Sequence, residues 1–497
     1  VSQKRTMQTV RIPTLTGGTN LRDAKMELQP NESNLIYNYY CFPNKLKAMG
    51  SVVSGVTLAA TTSIQGLHNW NTATPAETLI ATTNSRVYSI AVGYTATNIT
   101  GGVAMTNGLT SAVPFGGYLF IANGTNPIIR VSLAQVTSAA AFVGPGGVDS
   151  TLSQVWSYKG RLYFIEANTT KYWYGGLLSV TGALTSIDLN SILFESGVLL
   201  FGAAWTSNQG IGSEEFCVFV STTGEILVYS GDYPGSPNWQ LTGRTKIPAP
   251  QSGYPYKRFG SDLLIYTKAG IIKLSDAFAA ASGPASVFTI TDKISTYFQK
   301  QGFSTISAMA NHATLPFTYV AGLSGNKELW AVNYQTGAWS KLTFAVEPQA
   351  IAHAFGQFQV ANGADIYRTN VTNRTNAQGR GIQTGYMNFG SMNVKRIIAV
   401  RWMVSISEDS GSPLANTYSC LVDAPLEESD GNSANIAGDT VTTTMLTTGR
   451  IATIEFRPGI AGVWFSFALN AQNVSDFGAM DEVYGCEVDY EEGGFYK

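Results

Sequence analysis

The sequence predicts an all-β protein: a β-propeller of about six blades, then a C-terminal β-sandwich or jelly-roll-like platform. Three observations carry that expectation. Residues 156–274 repeat one phrase, a Gly-containing turn feeding a short apolar run that ends near an aromatic. It reads Gly160-Arg161-Leu162-Tyr163-Phe164, then Gly224-Glu225-Ile226-Leu227-Val228-Tyr229, then Gly260-Ser261-Asp262-Leu263-Leu264-Ile265-Tyr266 and Gly270-Ile271-Ile272-Lys273-Leu274. Such a turn before β-branched or aromatic residues starts an antiparallel strand, and its recurrence near blade length predicts a radial array of small sheets. The 51 glycines, with abundant Thr, Ser and Asn, favour short strands and tight turns over helices. Beyond residue 378 the pattern lengthens, which marks a second architecture.

At 497 residues the chain exceeds one typical core and predicts two or three domains. Hydrophobic residues make up 44% and charged residues only 13%, and the net charge is −2. That balance argues against a whole-chain electrostatic binder of nucleic acid or membrane. Cys41, Cys217, Cys420 and Cys486 are far apart and are expected to be free, buried thiols. Val1-Ser2-Gln3-Lys4-Arg5 has no apolar signal core, and Glu195 interrupts the apolar run 192–205, so a soluble chain without membrane insertion is expected.

Taken in order, residues 1–62 form an N-terminal segment too polar to fold alone. Val10-Arg11-Ile12-Pro13 reads as an edge strand stopped by Pro13, and Gly17-Gly18-Thr19-Asn20 as a turn. Asn31-Glu32-Ser33 after Pro30 reads as the start of a short helix through Tyr37. The propeller is assigned to 63–370. Its units are 64–90, 117–124, 154–174, 199–229, 257–274 and 329–367. Six is the count, and five or seven fit the spacing. Residues 291–303 hold the best helix signal, with Ile294 and Phe298 at helical spacing. The platform is assigned to 371–497, behind a polar linker at 370–378. Its strands are 394–406, 418–422, 451–456 and 463–469, and the alternation Cys486-Glu487-Val488-Asp489-Tyr490-Glu491 puts the three acids on one face.

Catalytic chemistry finds little material. No phosphate-cradling G-x-x-x-x-G-K-[ST] loop, H-E-x-x-H helix or G-x-S-x-G elbow occurs. His68, His312 and His353 fall in different units and read as structural histidines, although blades can bring such residues to one axis. Glu214, Glu215 and Asp232 are the candidate acids for a glycosidase, but neighbours on a strand face opposite ways and read as solvated turn acids. Tyr172, Trp173, Tyr174 and Trp239 suit stacking on sugars or bases, and equally suit blade cores. The N-x-[ST] triplets at Asn98, Asn168 and Asn373 reflect a chain rich in Asn and Thr.

A resemblance spans nearly the whole chain. Gly17-Gly18-Thr19-Asn20-Leu21-Arg22-Asp23, followed by Leu28-Gln29-Pro30-Asn31-Glu32, resembles the opening of a family of tailed-phage virion proteins, the podovirus-type tail hub or nozzle proteins. Tyr172-Trp173-Tyr174 through Ile187-Asp188-Leu189 is similar to that family too. So are Thr223-Gly224-Glu225-Ile226-Leu227-Val228-Tyr229-Ser230-Gly231, Trp239-Gln240-Leu241-Thr242-Gly243 and Asp262-Leu263-Leu264-Ile265-Tyr266. Asp292-Lys293-Ile294, Tyr334-Gln335-Thr336-Gly337-Ala338-Trp339-Ser340 and Phe389-Gly390 with Lys395 continue it in the same order. Thr19 stands where the family often has Leu, and the C-terminus lacks the family's frequent Gly-Arg ending.

The resemblance implies a propeller with a platform, no catalysis and no cofactor. It implies a ring of copies of this chain, typically a hexamer, below the portal and the head–tail adaptor. Tail fibres or spikes attach outside, and double-stranded DNA passes transiently through the lumen. The implied location is the virion tail, assembled in the host cytoplasm. Within that frame Glu487, Asp489 and Glu491 are expected to face the lumen, where acids would not grip phosphates. Arg11, Gly17, Gly18, Arg22 and Asp23 are expected at an N-terminal interface, against the sandwich or a neighbouring subunit. The competing expectation is a carbohydrate-binding or glycan-cleaving propeller.

Overall fold

A computed structural model describes residues 6–59, 62–71, 77–147, 149–208, 213–251, 253–279, 289–297, 309–311, 317–321, 327–344, 346–370, 379–406, 416–424, 436–443, 451–473 and 481–493. The chain is all-β and combines a propeller with a sandwich, as the sequence predicts. Six free-standing small sheets form the propeller. The first comprises Ile64–Trp70, Thr78–Thr83, Val87–Ile90 and Ala96–Asn98, the second runs from Ser111–Phe115 to Thr137–Ala139, and the third from Leu152–Tyr158 to Thr185–Asp188. The fourth spans Leu199–Asn208 to Gln240–Lys246. The fifth has three strands, Tyr256–Phe259, Asp262–Thr267 and Gly270–Lys273, followed by the short helix Leu274–Ala279.

The sixth sheet is Ala350–Ala354, Gln357–Asn362 and Asp365–Asn370, completed by Ser51–Thr57. This last strand comes from the N-terminal segment, so the boundary drawn at residue 62 lies beyond a strand of the propeller. Hydrogen-bonding the two ends of the propeller into one sheet closes the ring. A further meander, Met309–Asn311 through Ala338–Thr343, sits between the fifth and sixth sheets and is continuous with the platform. The stretch 329–367, read as one unit, therefore contains half of this meander and most of the sixth sheet.

The cores follow from strand alternation. Phe219 and Tyr172 from neighbouring sheets pack with ring centroids 4.3 Å apart, and Phe201 stacks on Tyr256 at 4.3 Å. Each interface between sheets holds such a cluster, which glues radial sheets that share few hydrogen bonds.

The platform is a sandwich. One sheet runs Ala452–Phe456, Lys395–Ile406, Asp481–Glu492, Leu46–Ala48, Tyr39–Cys41, with Met7–Ile12 also paired to Asp481–Glu492. The other continues from the meander through Glu32–Tyr37, Arg380–Thr384, Ser466–Asn473 and Asn416–Asp423 to Ile436–Thr443. Trp402, Tyr418, Cys420, Phe465, Phe467, Cys486 and Val488 fill the space between them. In the C-terminal strand Cys486, Val488 and Tyr490 point inward on even numbers, whereas Val483 does so on an odd one. A bulge at Gly485, whose φ of 113° suits glycine, shifts the phase.

Two local expectations are corrected. Glu32–Tyr37 is a strand, not a helix, because it is held between Gly18–Thr19 and Ala338–Thr343 on one side and Arg380–Thr384 on the other. The predicted helix at 291–303 begins as a 3-10 turn, Asp292–Ile294, with helical residues 295–297, and 298–303 lie outside the described residues. The linker residues 371–378 and the turn at 210–212 also lie outside them.

Candidate functional site: the N-terminal clasp and the charged platform face

The predicted N-terminal motif builds a clasp within the chain. Asn20 is buried and organises it. Its Oδ1 accepts the amides of Arg22 (3.1 Å) and Asp23 (3.2 Å), a turn typical of Asn. Its Nδ2 donates to Asp23 Oδ2 (2.8 Å) and Glu32 Oε2 (2.9 Å). Lys293 Nζ pairs with Glu32 Oε1 at 2.9 Å and donates to the Gly17 carbonyl at 3.3 Å. Arg22 bridges Asp23, through Nε at 2.7 Å, and Asp292. The Lys293 carbonyl accepts the Leu21 and Arg22 amides. Arg22 holds the Asp23 carboxyl down to about 2.

Gly18 shows why the motif needs glycine. Its φ is +77°, and a Cβ there would lie 2.5 Å from Trp339 N and 2.8 Å from Ala338 Cα. Those are backbone atoms of a paired strand and have no room to yield. Gly17, Gly18, Arg22 and Asp23 thus sit between the platform and the propeller meander. Arg11 lies apart from them, on the strand Met7–Ile12 opposite Glu487.

That strand brings the predicted acidic face into contact with cations. Glu487 is flanked by Arg11 and Arg401, Asp489 by Thr9 and Ala399, and Glu491 by Met7 and Arg396. Thr9 Oγ1 donates to Asp489 Oδ1 at 2.6 Å, and Arg401 pairs with Asp489 through one nitrogen and with Glu455 Oε2 at 2.8 Å through Nε. Arg457 extends the series to Glu455 at 2.7 Å. The Arg401 hydrogen bond holds the Asp489 carboxyl below its usual range, and Arg401 and Arg457 do the same for Glu455. The three acids do share one face. Asp489, however, is 3% exposed and ion-paired, so the face carries alternating charge rather than a bare acidic stripe. Sequence alternation found the face but missed Arg401 and Glu455, because cross-strand partners are set by register.

The other candidates sit in structural settings. Tyr172 is buried, Trp173 Nε1 donates to Glu166 at 2.9 Å, Tyr174 stacks on Tyr163, and Trp239 stacks on Tyr229 at 5.1 Å. Glu214 and Glu215 oppose Ser207 and Thr206 on successive positions of one strand, and Asp232 accepts from Asn238 at 2.9 Å and faces Lys159 at 3.7 Å. His68 bonds Thr110 Oγ1 at 2.7 Å, and burial together with Lys257 pushes it down to about 4. His353 is buried, which lowers its pKa. Asn98 accepts from Thr100, Asn168 takes a turn φ of 59°, and His312 and Asn373 lie outside the described residues. All four thiols are free and buried, and burial pushes Cys41 up to about 12. Among the described residues no cluster of His, Cys, Asp and Glu suits a metal ion, and no helix is long and apolar enough to cross a membrane.

No protein-family model matches the chain, and no curated protein matches it. Solved structures are similar to part of the chain at low identity. The WD40 repeats of RRP9 match at 9% identity and TM-score 0.42, over 65% of this chain and 98% of that one. U3-55K matches at 9% and 0.40, over 64% and 98%. A chain of the mitotic checkpoint complex matches at 10% and 0.38, over 65% and 96%. At this level they speak to neither activity nor partners.

Proposed function

We propose that the chain is a structural virion protein: a subunit of the tail nozzle or hub ring of a short-tailed phage. In this reading it sits below the portal and adaptor, conducts DNA and ejection proteins, and anchors tail fibres without catalysing a reaction. One observation carries it. Three of the motifs that resemble the nozzle family, the opening at 17–32, Asp292-Lys293-Ile294 and the stretch 334–340, meet in space although far apart in the sequence. Arg22 meets Asp292 across 270 positions, Lys293 meets Gly17, and Gly18 lies on Ala338 and Trp339. Motifs that build one junction rather than a ligand pocket suit an assembly part.

The physical chemistry supports the same reading. A conduit for DNA works best without a row of unpaired cations, since each phosphate contact adds salt-dependent affinity. On the platform face Arg401 and Arg457 are each paired with an acid. The clasp and the shared ten-stranded sheet tie propeller to platform, as a heterologous ring interface requires of a rigid subunit.

The test is assembly. Light scattering and negative-stain images of the chain, alone and with the adaptor, are expected to show a ring with a central opening. A chain that stays monomeric with adaptor present, yet binds bacterial surface glycan, overturns the reading in favour of an adhesin or depolymerase. Within a ring, Glu487→Lys with Glu491→Lys is expected to slow DNA ejection and steepen its salt dependence. Unchanged rates remove those residues from the lumen.

A further inference from the structure

Where the third and fourth propeller sheets meet, a tight turn and a loop set aromatic and cationic side chains side by side. The turn is Lys159-Gly160, both at positive φ (40° and 72°), and it places Arg161 at the start of its strand. The loop is 231–239. Gly231 opens it at φ 108°, where a Cβ would fall 2.3 Å from the Asn238 carbonyl oxygen. Asn238 then ties it internally: Oδ1 accepts the Asp232 amide (3.2 Å) and Ser236 Oγ (2.6 Å), and Nδ2 donates to Asp232 Oδ2 (2.9 Å). The Ser236 amide donates to the Tyr233 carbonyl, and the Trp239 amide to that of Ser236. Pro234 and Pro237 fix two further φ angles. Trp239 seats the foot of the loop, stacked on Tyr229 and edge-on to Tyr158 at 6.0 Å.

This loop holds Tyr233 beside Tyr174, with ring centroids 6.2 Å apart. Both rings are half-buried, and neither hydroxyl hydrogen-bonds to another described residue. Gly235 lies against them: a Cβ there would come within 2.7 Å of Tyr233 Cε2 and 3.5 Å of the Tyr174 hydroxyl, so glycine keeps this shelf uncrowded. The Arg161 guanidinium sits 4.1 Å from the Tyr233 ring centre, a cation–π contact that holds it in place. One of its nitrogens donates to the Gly175 carbonyl at 3.0 Å, and among the described residues it forms no ion pair. Asp232 is turned instead to Lys159, at 3.7 Å. The shelf therefore joins apolar ring surface, two open hydroxyls and a preorganised guanidinium that lacks its carboxylate.

We propose that this shelf binds an acidic saccharide, a sugar of the uronic-acid type. The C–H face of the pyranose packs on Tyr174 and Tyr233, their hydroxyls meet the sugar hydroxyls, and Arg161 pairs with the carboxylate. A neutral sugar leaves the guanidinium unmatched, and a bare anion leaves the rings unused. The third and fourth sheets build the shelf by themselves, so it stands or falls separately from the nozzle reading.

Calorimetric titration of the full chain with tetragalacturonate, with its methyl ester and with sodium acetate tests it. Saturable binding of the tetragalacturonate is expected. The methyl ester, which keeps the sugar and removes the charge, is expected to bind about tenfold more weakly or worse, and acetate not to saturate. Arg161→Met is expected to erase the preference for the acid over the ester, Arg161→Lys to keep part of it, and Tyr233→Ala to weaken both. Saturation-transfer NMR on the wild-type protein, which needs no variant to fold, is expected to show the sugar C–H protons receiving saturation from aromatic side chains. No saturable binding of tetragalacturonate, an ester that binds as well as the acid, or binding unaltered in a folded Arg161→Met or Tyr233→Ala protein each overturns the proposal.

Discussion

The platform face and the propeller axis handle charge in opposite ways. On the platform, Arg11, Arg401 and Arg457 alternate with Glu487, Asp489 and Glu455 across four neighbouring strands. On the first strands of the six propeller sheets, Ile64–Trp70, Ser111–Phe115, Leu152–Tyr158, Leu199–Asn208, Tyr256–Phe259 and Ala350–Ala354, stand His68, Lys257, Arg258 and His353 and no Asp or Glu. The difference is one of register against convergence. Antiparallel pairing sets each side chain beside a fixed partner, so opposite charges written on different strands cancel locally. Radial sheets bring single residues from distant blades to one line, where nothing in the pairing supplies a counter-ion.

The largest perturbation removes the platform's tie to the N-terminus. Deleting residues 1–30 takes away Met7–Ile12 and the Gly17–Asp23 clasp. Platform unfolding in urea is expected to lose about 5 kcal/mol or more, comparable to a domain's whole stability. Unchanged stability would show that pairing with Asp481–Glu492 is incidental. Next, Gly18→Val forces a side chain into the Trp339 backbone at positive φ, and is expected to cost about 2–4 kcal/mol by the same measurement.

Arg401→Met tests the compensated side. It strands Asp489, whose side chain is 5% exposed, and about 2 kcal/mol is expected after discounting for the partly exposed guanidinium. The pH profile carries the sign. The native Asp489 pKa is lowered, so the stabilisation is complete above about pH 4, the unfolded value. It is lost as pH falls through the native value. The variant's acid limb is expected to be flatter.

Lys257→Met tests the uncompensated side and is expected to do the reverse, raising stability at pH 7 by up to about 1 kcal/mol in anion-free buffer. The native Lys257 pKa is lowered, so from there up to about 10.4 the unfolded chain holds more protons and wild-type stability rises with pH. The variant should lack that rise. A destabilised Lys257→Met would mean that the axis already compensates this charge. Smallest of all, Glu487→Gln is expected to change stability by under about 0.5 kcal/mol, since of its neighbours Arg11 is exposed and Arg401 is already paired with Asp489 and Glu455.

The turn-and-strand phrases were legible residue by residue. Gly160, Gly224, Gly260 and Gly270 all have positive φ and precede buried strands, as their sequence context predicts. The alternation 486–490 gave the inward face of the C-terminal strand correctly. Glu32–Tyr37 was misread, because Pro30-Asn31 signals a turn but not what the chain pairs with afterwards. The clasp was legible as a set of motifs and illegible as a junction.

By itself, then, the sequence determined the strand class, the turns, the platform's separate pattern and the shared face of Glu487, Asp489 and Glu491. These follow from local periodicity and glycine chemistry, which act over a few residues. Only the tertiary structure decided that Ser51–Thr57 closes the last sheet, that Arg401 neutralises Asp489, and that Gly18 packs on the Ala338–Trp339 backbone. Those outcomes depend on which distant strands become neighbours, and that is settled by packing and ring closure over the whole chain.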